Sequence, residues 1–259
     1  MQPPPDPPDT PDPSSDAPND KPQRRMAAGE LRARLFGDPA PGSKLGVYTI
    51  VRTIGRGGMG VVLEGRDPQG RRVALKTLPR PDQAAIQRFK QEFRSAADLG
   101  HRNLVAVEEL ALDAARGEWY LAMEFVPGVR WLEVLRPGGA AAPESVLRDA
   151  FGQLASGVHA LHGAGLLHRD LKPSNVLVTP EGRIKIIDFG LVSSTASRER
   201  GLAGTFGFIA PELLHGAAAS PASDWYAVGV MLYQALTGRM PTRPLTADAL
   251  PGDGPADLV

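Results

Sequence analysis

The spacing of hydrophobic and polar positions changes twice along the chain. Residues 1 to about 42 carry almost nothing that can be buried, and MQPPPDPPDTPDPSSDAPNDKPQ alternates Pro with Asp and Ser. Such a stretch cannot recover the entropy of ordering, which predicts a disordered or polyproline-like tail. AAGELRARLF at 27–36 has the spacing of one short helix, ended by Gly37 and Pro39. From Tyr48 the pattern becomes that of strands. YTIVRTIG (48–55) and VVLEGRDPQGRRVALKTL (61–78) predict strands, the second stretch folding back at a turn over 67–70. IQRFKQEFRSAADL (86–99) has helical spacing, with Phe89 and Phe93 four apart. Strands at 105–112 and 119–125 complete a mostly antiparallel sheet with one helix.

After Gly128 the pattern becomes mainly helical. A long amphipathic helix is predicted over 145–162, with Pro143 and Glu144 at its start. Short strands at 176–179 and 184–187 flank a turn at 180–182. A loop of roughly two dozen residues follows, too long for a plain connector. WYAVGVMLYQAL (225–236) reads as a buried helix, interrupted by Gln234 and well short of the ~20 residues a membrane span needs. Residues 241–259 form an irregular tail. The reading is α+β, with 48–126 as a sheet-rich unit and 127–240 as a helical one.

Composition narrows the chemistry. The formal net charge is zero over 259 residues, so no basic excess points to nucleic acid or an anionic membrane surface. With no cysteine, disulfides and cysteine-based zinc sites are excluded, which fits a cytoplasmic location. The N-terminus has no apolar core of a secretory signal.

Three clusters carry candidate chemistry. Gly55-Arg56-Gly57-Gly58-Met59-Gly60-Val61-Val62 puts glycines where a backbone can approach phosphates closely. In a chain with 29 glycines this spacing is weak evidence alone. It runs into β-branched residues rather than a helix, against a dinucleotide-binding reading. Lys76 ends Val-Ala-Leu-Lys on an apolar strand, where a buried ammonium needs an anion, and Glu92 on the next helix is a candidate partner. His168-Arg169-Asp170-Leu171-Lys172-Pro173-Ser174-Asn175 is the most specific signal, in a chain with only five histidines. Asp170 can accept or orient a hydroxyl proton, and Asn175 can ligate a cation through its amide oxygen. Thirteen residues after Asn175, Asp188-Phe189-Gly190 follows an apolar strand, its carboxylate suited to a metal bridging phosphates. His159 and His162, three apart on one helix, read as ordinary helix-face residues, since no third ligand makes them a zinc site.

The ordered set GRGGMGVV, VALK, Glu92, HRDLKPSN, DFG and Ala210-Pro211-Glu212 resembles the protein kinase signature, in its bacterial serine/threonine (Hanks-type) branch. The resemblance covers residues 48 to 240. It implies a two-lobed fold with a small antiparallel-sheet lobe plus one helix and a larger helical lobe. It also implies an ATP- and Mg²⁺-dependent enzyme acting on Ser/Thr hydroxyls of proteins. By that mapping Gly55, Gly57 and Gly60 cover the phosphates, and Lys76, paired with Glu92, holds the α- and β-phosphates. Asp170 is the catalytic base, Lys172 marks Ser/Thr specificity, and Asn175 and Asp188 bind Mg²⁺. Ile54, Val62, Ala74 and Leu177 enclose the adenine. Residues 124–126 form the hinge, with Glu124 and Val126 bonding the base and Met123 as gatekeeper. Phe189 sets the packing of the activation loop, Thr205 lies near the substrate pocket, and Asp224 orients the catalytic loop. Arg169 is placed to bind an activation loop phosphorylated at Ser193, Ser194, Thr195, Ser197 or Thr205.

The chain departs from that pattern at its end. The family continues through roughly three more helices, and its arginine partner for Glu212 has no counterpart here, so the helical lobe is expected to be incomplete. Phe206-Gly207-Phe208 is a further variation. Two rivals therefore stand beside the kinase reading. One is a catalytically silent nucleotide-binding regulatory module. The other is a small-molecule phosphotransferase, which leaves Lys172 and the Ala-Pro-Glu segment unexplained.

Overall fold

The computed structural model describes residues 39–57, 60–78, 83–188 and 206–241. The expected N-terminal tail and the 27–36 helix fall almost wholly outside these residues. So do Phe189, Thr205, the serines and threonines of the long loop, and nearly all of the 241–259 tail.

Six antiparallel strands form the first sheet: β1 (Lys44–Leu45), β2 (Tyr48–Gly57), β3 (Gly60–Arg66), β4 (Arg72–Leu78), β5 (Val107–Asp113) and β6 (Glu118–Glu124). Their order is β1-β2-β3-β4-β6-β5. β4 is buried from Val73 to Leu78 because it lies inside the sheet with both faces covered. Asp67 makes the β3–β4 turn: its carboxylate accepts the N–H groups of Gln69 (3.0 Å) and Arg71 (2.8 Å). Helix α1 (Gln83–Ala97) lays Phe89 and Phe93 against the core, as the four-residue spacing predicts.

The second half adds a small sheet, β7 (Val129–Arg130), β8 (Val176–Val178) and β9 (Ile184–Ile186). Its helices are α2 (Trp131–Leu135), α3 (Glu144–Gly163), α4 (Pro211–Leu214) and α5 (Pro221–Thr237). β7 and α2 were not predicted, being too short to show a period. α5 begins four residues before the predicted start. Ser220 and Ser223 form a reciprocal capping box there, with Pro221 in the first turn.

α3 packs on β9 through Gly157, where a Cβ would sit 2.7 Å from Cδ1 of Ile186. One apolar cluster runs from Ala74 and Met123 in the first sheet through Trp131, Leu154 and Ile186 to Met231 and Ala235 on α5. Trp131 is fully buried, edge-on to Phe151 at 5.0 Å. The result is an α+β architecture of a sheet lobe with one helix and a mainly helical lobe. No helix among the described residues is long and apolar enough to cross a membrane.

Candidate active site

Asp224 organises the site from below. It lies in the first turn of α5, 3% exposed, and accepts hydrogen bonds from the backbone N–H groups of His168 (2.8 Å) and Arg169 (2.9 Å). His162 of α3 meets the same carboxylate at 2.9 Å. His162 is therefore more than a helix-face residue. Its spacing to His159 carried no hint of this, because the partner lies 62 positions away.

The next link is His168, which is wholly buried. Burial holds its imidazole below the ordinary value of 6.5 and so keeps it neutral. Nε2–H donates to the carbonyl of Ile187 (3.1 Å), and Nδ1 accepts the N–H of Asp170 (3.3 Å). One side chain thus spans the loop carrying Asp170 and the strand end carrying Asp188.

Asp170 is flanked by two of the predicted residues. Lys172 Nζ lies 2.7 Å from its Oδ2. Asn175, 7% exposed, donates Nδ2–H to the Asp170 carbonyl at 2.8 Å, while its amide oxygen accepts only a long bond from Ser174 Oγ (3.4 Å) and keeps a lone pair for a cation. Ile187 N–H bonds the Asn175 carbonyl (2.9 Å), so Asn175, just before β8, and Asp188, just after β9, are held close together. Among the described residues only Arg169 (φ 65°) and Asp188 (φ 62°) are non-glycine residues in the left-handed region. Such strain costs about 1–3 kcal/mol each and persists where surrounding bonds fix it, as the Asp224 and His168 bonds do here.

Lys76 is 4% exposed on β4, and its ammonium pairs with Asp188 Oδ1 at 2.9 Å. The expected pairing with Glu92 is not present. Glu92 instead accepts a hydrogen bond from Arg169 Nη1 at 2.9 Å. The physical reason is competition: each side chain has a nearer partner of opposite charge, and α1 turns Glu92 toward the catalytic loop.

In the glycine-rich hairpin, Gly55 pairs with Val62 and Gly57 with Gly60. Gly60 has φ 119°, and a Cβ there would collide with the Thr77 carbonyl oxygen. Its need for glycine comes from its own backbone and from β4. At Gly55 a Cβ would meet only ordinary contacts, the nearest at 3.7 Å, so packing gives no reason for glycine there.

Beneath the hairpin, Ala74, Met123, Val126 and Leu177 belong to one apolar cluster, and Ala74 faces Met123 in register. Ile54 remains 39% exposed at the rim. Among the described residues Val126 makes no backbone hydrogen bond although it is buried.

A sheet lobe over a helical lobe, with an Asp–Lys–Asn loop facing a Lys–Asp pair, defines a protein kinase domain. The family model described as "Protein kinase domain" matches residues 48–249, and the chain belongs to that family. Its relatives include bacterial serine/threonine-protein kinases. PknA of Mycobacterium tuberculosis is 40% identical over 207 residues, covering 76% of this chain and 48% of the relative. PrkC of Bacillus subtilis is 35% identical over 204 residues, covering 76% and 31%. The chain thus spans about half the length of the first of these relatives and less of the second. Among solved structures, the kinase domain of Mycobacterium tuberculosis PknI matches with a TM-score of 0.64 at 29% identity, covering 80% of this chain and 81% of that one.

Glu212 is exposed and has no ion-pair partner among the described residues.

Proposed function

We propose that the chain is an ATP-dependent serine/threonine protein kinase that acts in the cytoplasm. The observation that carries this reading is the convergence of Lys76, Asp170, Lys172, Asn175 and Asp188 through direct or shared hydrogen bonds. A silent module has no chemical need for all five. The branch of the family is bacterial, and its members' printed names are those of Ser/Thr kinases.

In the proposed reaction the base of ATP lies between Val62, Ala74 and Leu177 and is read by the peptide groups of Glu124 and Val126. Ile54 closes the rim, and Gly55, Gly57 and Gly60 cover the phosphates. Asp170 accepts a hydrogen bond from the Ser or Thr hydroxyl of a protein substrate and orients it for in-line attack on the γ-phosphorus. Lys172 Nζ, already 2.7 Å from Asp170, stands ready to neutralise charge on the transferring group. The Asn175 amide oxygen and the Asp188 carboxylate are the hard oxygen donors that Mg²⁺ prefers. No three carboxylates or imidazoles converge among the described residues, so the cation would arrive with the nucleotide phosphates. When bound it would supply charge neutralisation at those phosphates.

The Lys76–Asp188 and Glu92–Arg169 pairs favour a resting arrangement. Catalysis then requires Lys76 to exchange Asp188 for phosphate oxygens and for Glu92. Autophosphorylation of the loop between Asp188 and Phe206 is the proposed route, since a phosphate there would compete with Glu92 for Arg169.

The test is transfer of label from γ-labelled ATP to the chain itself and to a generic basic protein, comparing wild type with Asp170→Asn. Loss of at least about a hundredfold in the variant is expected for removal of a positioned acid–base group. Equal labelling would remove the catalytic assignment, and nucleotide binding without any transfer would favour a regulatory module.

A further inference from the structure

Lys185 lies in the middle of β9, between the buried Ile184 and Ile186, and its side chain is only 12% exposed. No motif gives it a role. Its ammonium bonds Glu124 Oε2 at 2.8 Å and the Leu104 carbonyl at 3.1 Å. The same carboxylate oxygen accepts the N–H of Ala106 at 3.2 Å, while Glu124 N–H bonds the Ala106 carbonyl at 2.9 Å. Segment 103–106 is in turn fixed to β9: Ile186 N–H bonds the Asn103 carbonyl (2.8 Å) and Val105 N–H the Ile186 carbonyl (2.9 Å). Glu124 is thus held by both backbone and side chain, and the holding cation belongs to the other sheet.

The next residue is gripped from the opposite direction. The Arg72 guanidinium lies 3.8 Å from the centroid of the Phe125 ring. It is aimed by a bond from Nε to Glu64 Oε1 (2.8 Å), and Glu64, 6% exposed at its side chain, also binds Arg52 at 2.7 Å. Arg72 sits just ahead of the Val73–Glu124 register pair, so Phe125 continues β6 directly alongside it.

From these contacts we infer that Lys185 and Arg72 are positioning residues for the nucleotide base. They grip consecutive residues, Glu124 and Phe125, and thereby fix the peptide groups of 124–126 at the angle a base edge requires. The inference rests on the reading of 124–126 as the hinge. The chemistry favours a tight grip. A charge-assisted bond is stronger than a neutral one, and a cation over a half-buried ring resists rotation of that ring. Neither cation reaches the phosphate side, where Lys76 and Asp188 lie, so the effect belongs to the base alone.

That separation supplies the test. Binding of ADP and of inorganic tripolyphosphate, which carries no base, is measured by calorimetry on the full chain. The variants are Lys185→Met, Lys185→Arg and Arg72→Met, each checked by thermal melting. Lys185→Met and Arg72→Met are expected to weaken ADP about three- to tenfold and leave tripolyphosphate within about twofold, as loss of one charge-assisted or cation–ring contact predicts. Lys185→Arg should recover most of the loss, and adding Glu124→Gln to Lys185→Met should weaken ADP no further, because both act through one contact. Unchanged ADP affinity, or equal weakening of both probes, would overturn the inference. If Lys185→Met does not fold, Arg72→Met carries the same test, since the Arg72 side chain is 43% exposed and sits at a strand end. A wild-type chain that binds ADP no better than tripolyphosphate would sink the hinge reading itself.

Discussion

The catalytic loop and helix α1 both present a charged residue to the same site, but they are held in opposite ways. At the catalytic loop the anchoring carboxylate, Asp224, is 3% exposed and receives two backbone N–H groups and an imidazole. On α1 Glu92 makes one ion pair, with side chains 37% exposed at Arg169 and 22% at Glu92. The first arrangement is fixed when the chain folds, because leaving those N–H groups buried and unpaired is costly. The second exchanges one surface partner for another at little cost. The proposed reaction needs both: a base that does not move, and a Lys76 that exchanges Asp188 for Glu92.

The largest break in that comparison is Asp224→Asn. It removes one charge and sets an amide NH2 against one of the two backbone donors, since each carboxylate oxygen accepts one of them. Breaking a buried charged network from one side costs about 3–5 kcal/mol, and that loss is expected here in urea denaturation. Transfer activity should fall with it, even under conditions where the variant is folded, because Arg169 and Asp170 lose their support. A stability change below about 1 kcal/mol, the range of an exposed pair, would show that the loop is not anchored through this carboxylate.

Lys76 links the two regions, since it faces Asp188 in the structure and Glu92 in the proposed active arrangement. Lys76→Met should lower the rate of transfer by about 10²–10³, the range for loss of one preorganised charge-stabilising group. Stability should change far less, because Met fills the buried strand position. Single-turnover labelling at saturating nucleotide checks this, and a rate within a factor of a few of wild type would remove Lys76 from the chemistry.

Much of this contrast was legible in the sequence, and the illegible part has a physical pattern. Strands and helices with several turns showed their periods, so β2 to β6, α1 and α3 were placed within a few residues. Asp170, Lys172 and Asn175 lie within six positions of each other, and local spacing was enough to read them. Asp224 was placed by family resemblance, but its bond to His162 joins positions 62 apart and leaves no local trace. The pairing of Lys76 failed for a different reason. Sequence shows that a buried ammonium needs an anion, but Asp188 and Glu92 both satisfy that need, and only the packing of α1 selects between them. Short elements such as β7 and α2 have no period to read.

His168 sharpens the comparison by adding pH. Its folded-state value is depressed by burial from 6.5, so below pH 6.5 the unfolded chain binds a proton that the folded chain refuses. This contribution to stability is fully present above pH 6.5 and is lost as pH falls from there toward the lower folded value. The slope is at most about 1.4 kcal/mol per pH unit. Denaturation at pH 7.5 and at 5.5 should show a larger drop in wild type than in His168→Asn, which has no imidazole to titrate. Equal drops in the two proteins would mean that protonation of His168 is not coupled to folding.

The smallest effect tests the other side of the contrast. Glu92→Gln keeps the shape of the side chain and removes one charge, as Asp224→Asn does at the α5 carboxylate that anchors the loop. Because the Glu92–Arg169 pair is solvent-screened at Arg169, its loss should cost no more than about 1 kcal/mol in urea denaturation. That is a fraction of the Asp224 effect for a chemically matched change. If the two substitutions proved equally destabilising, Glu92 would be an anchor rather than an exchangeable contact. The Arg169 pair would then be a fixed part of the fold, and the proposed exchange between Arg169 and Lys76 would be lost with it.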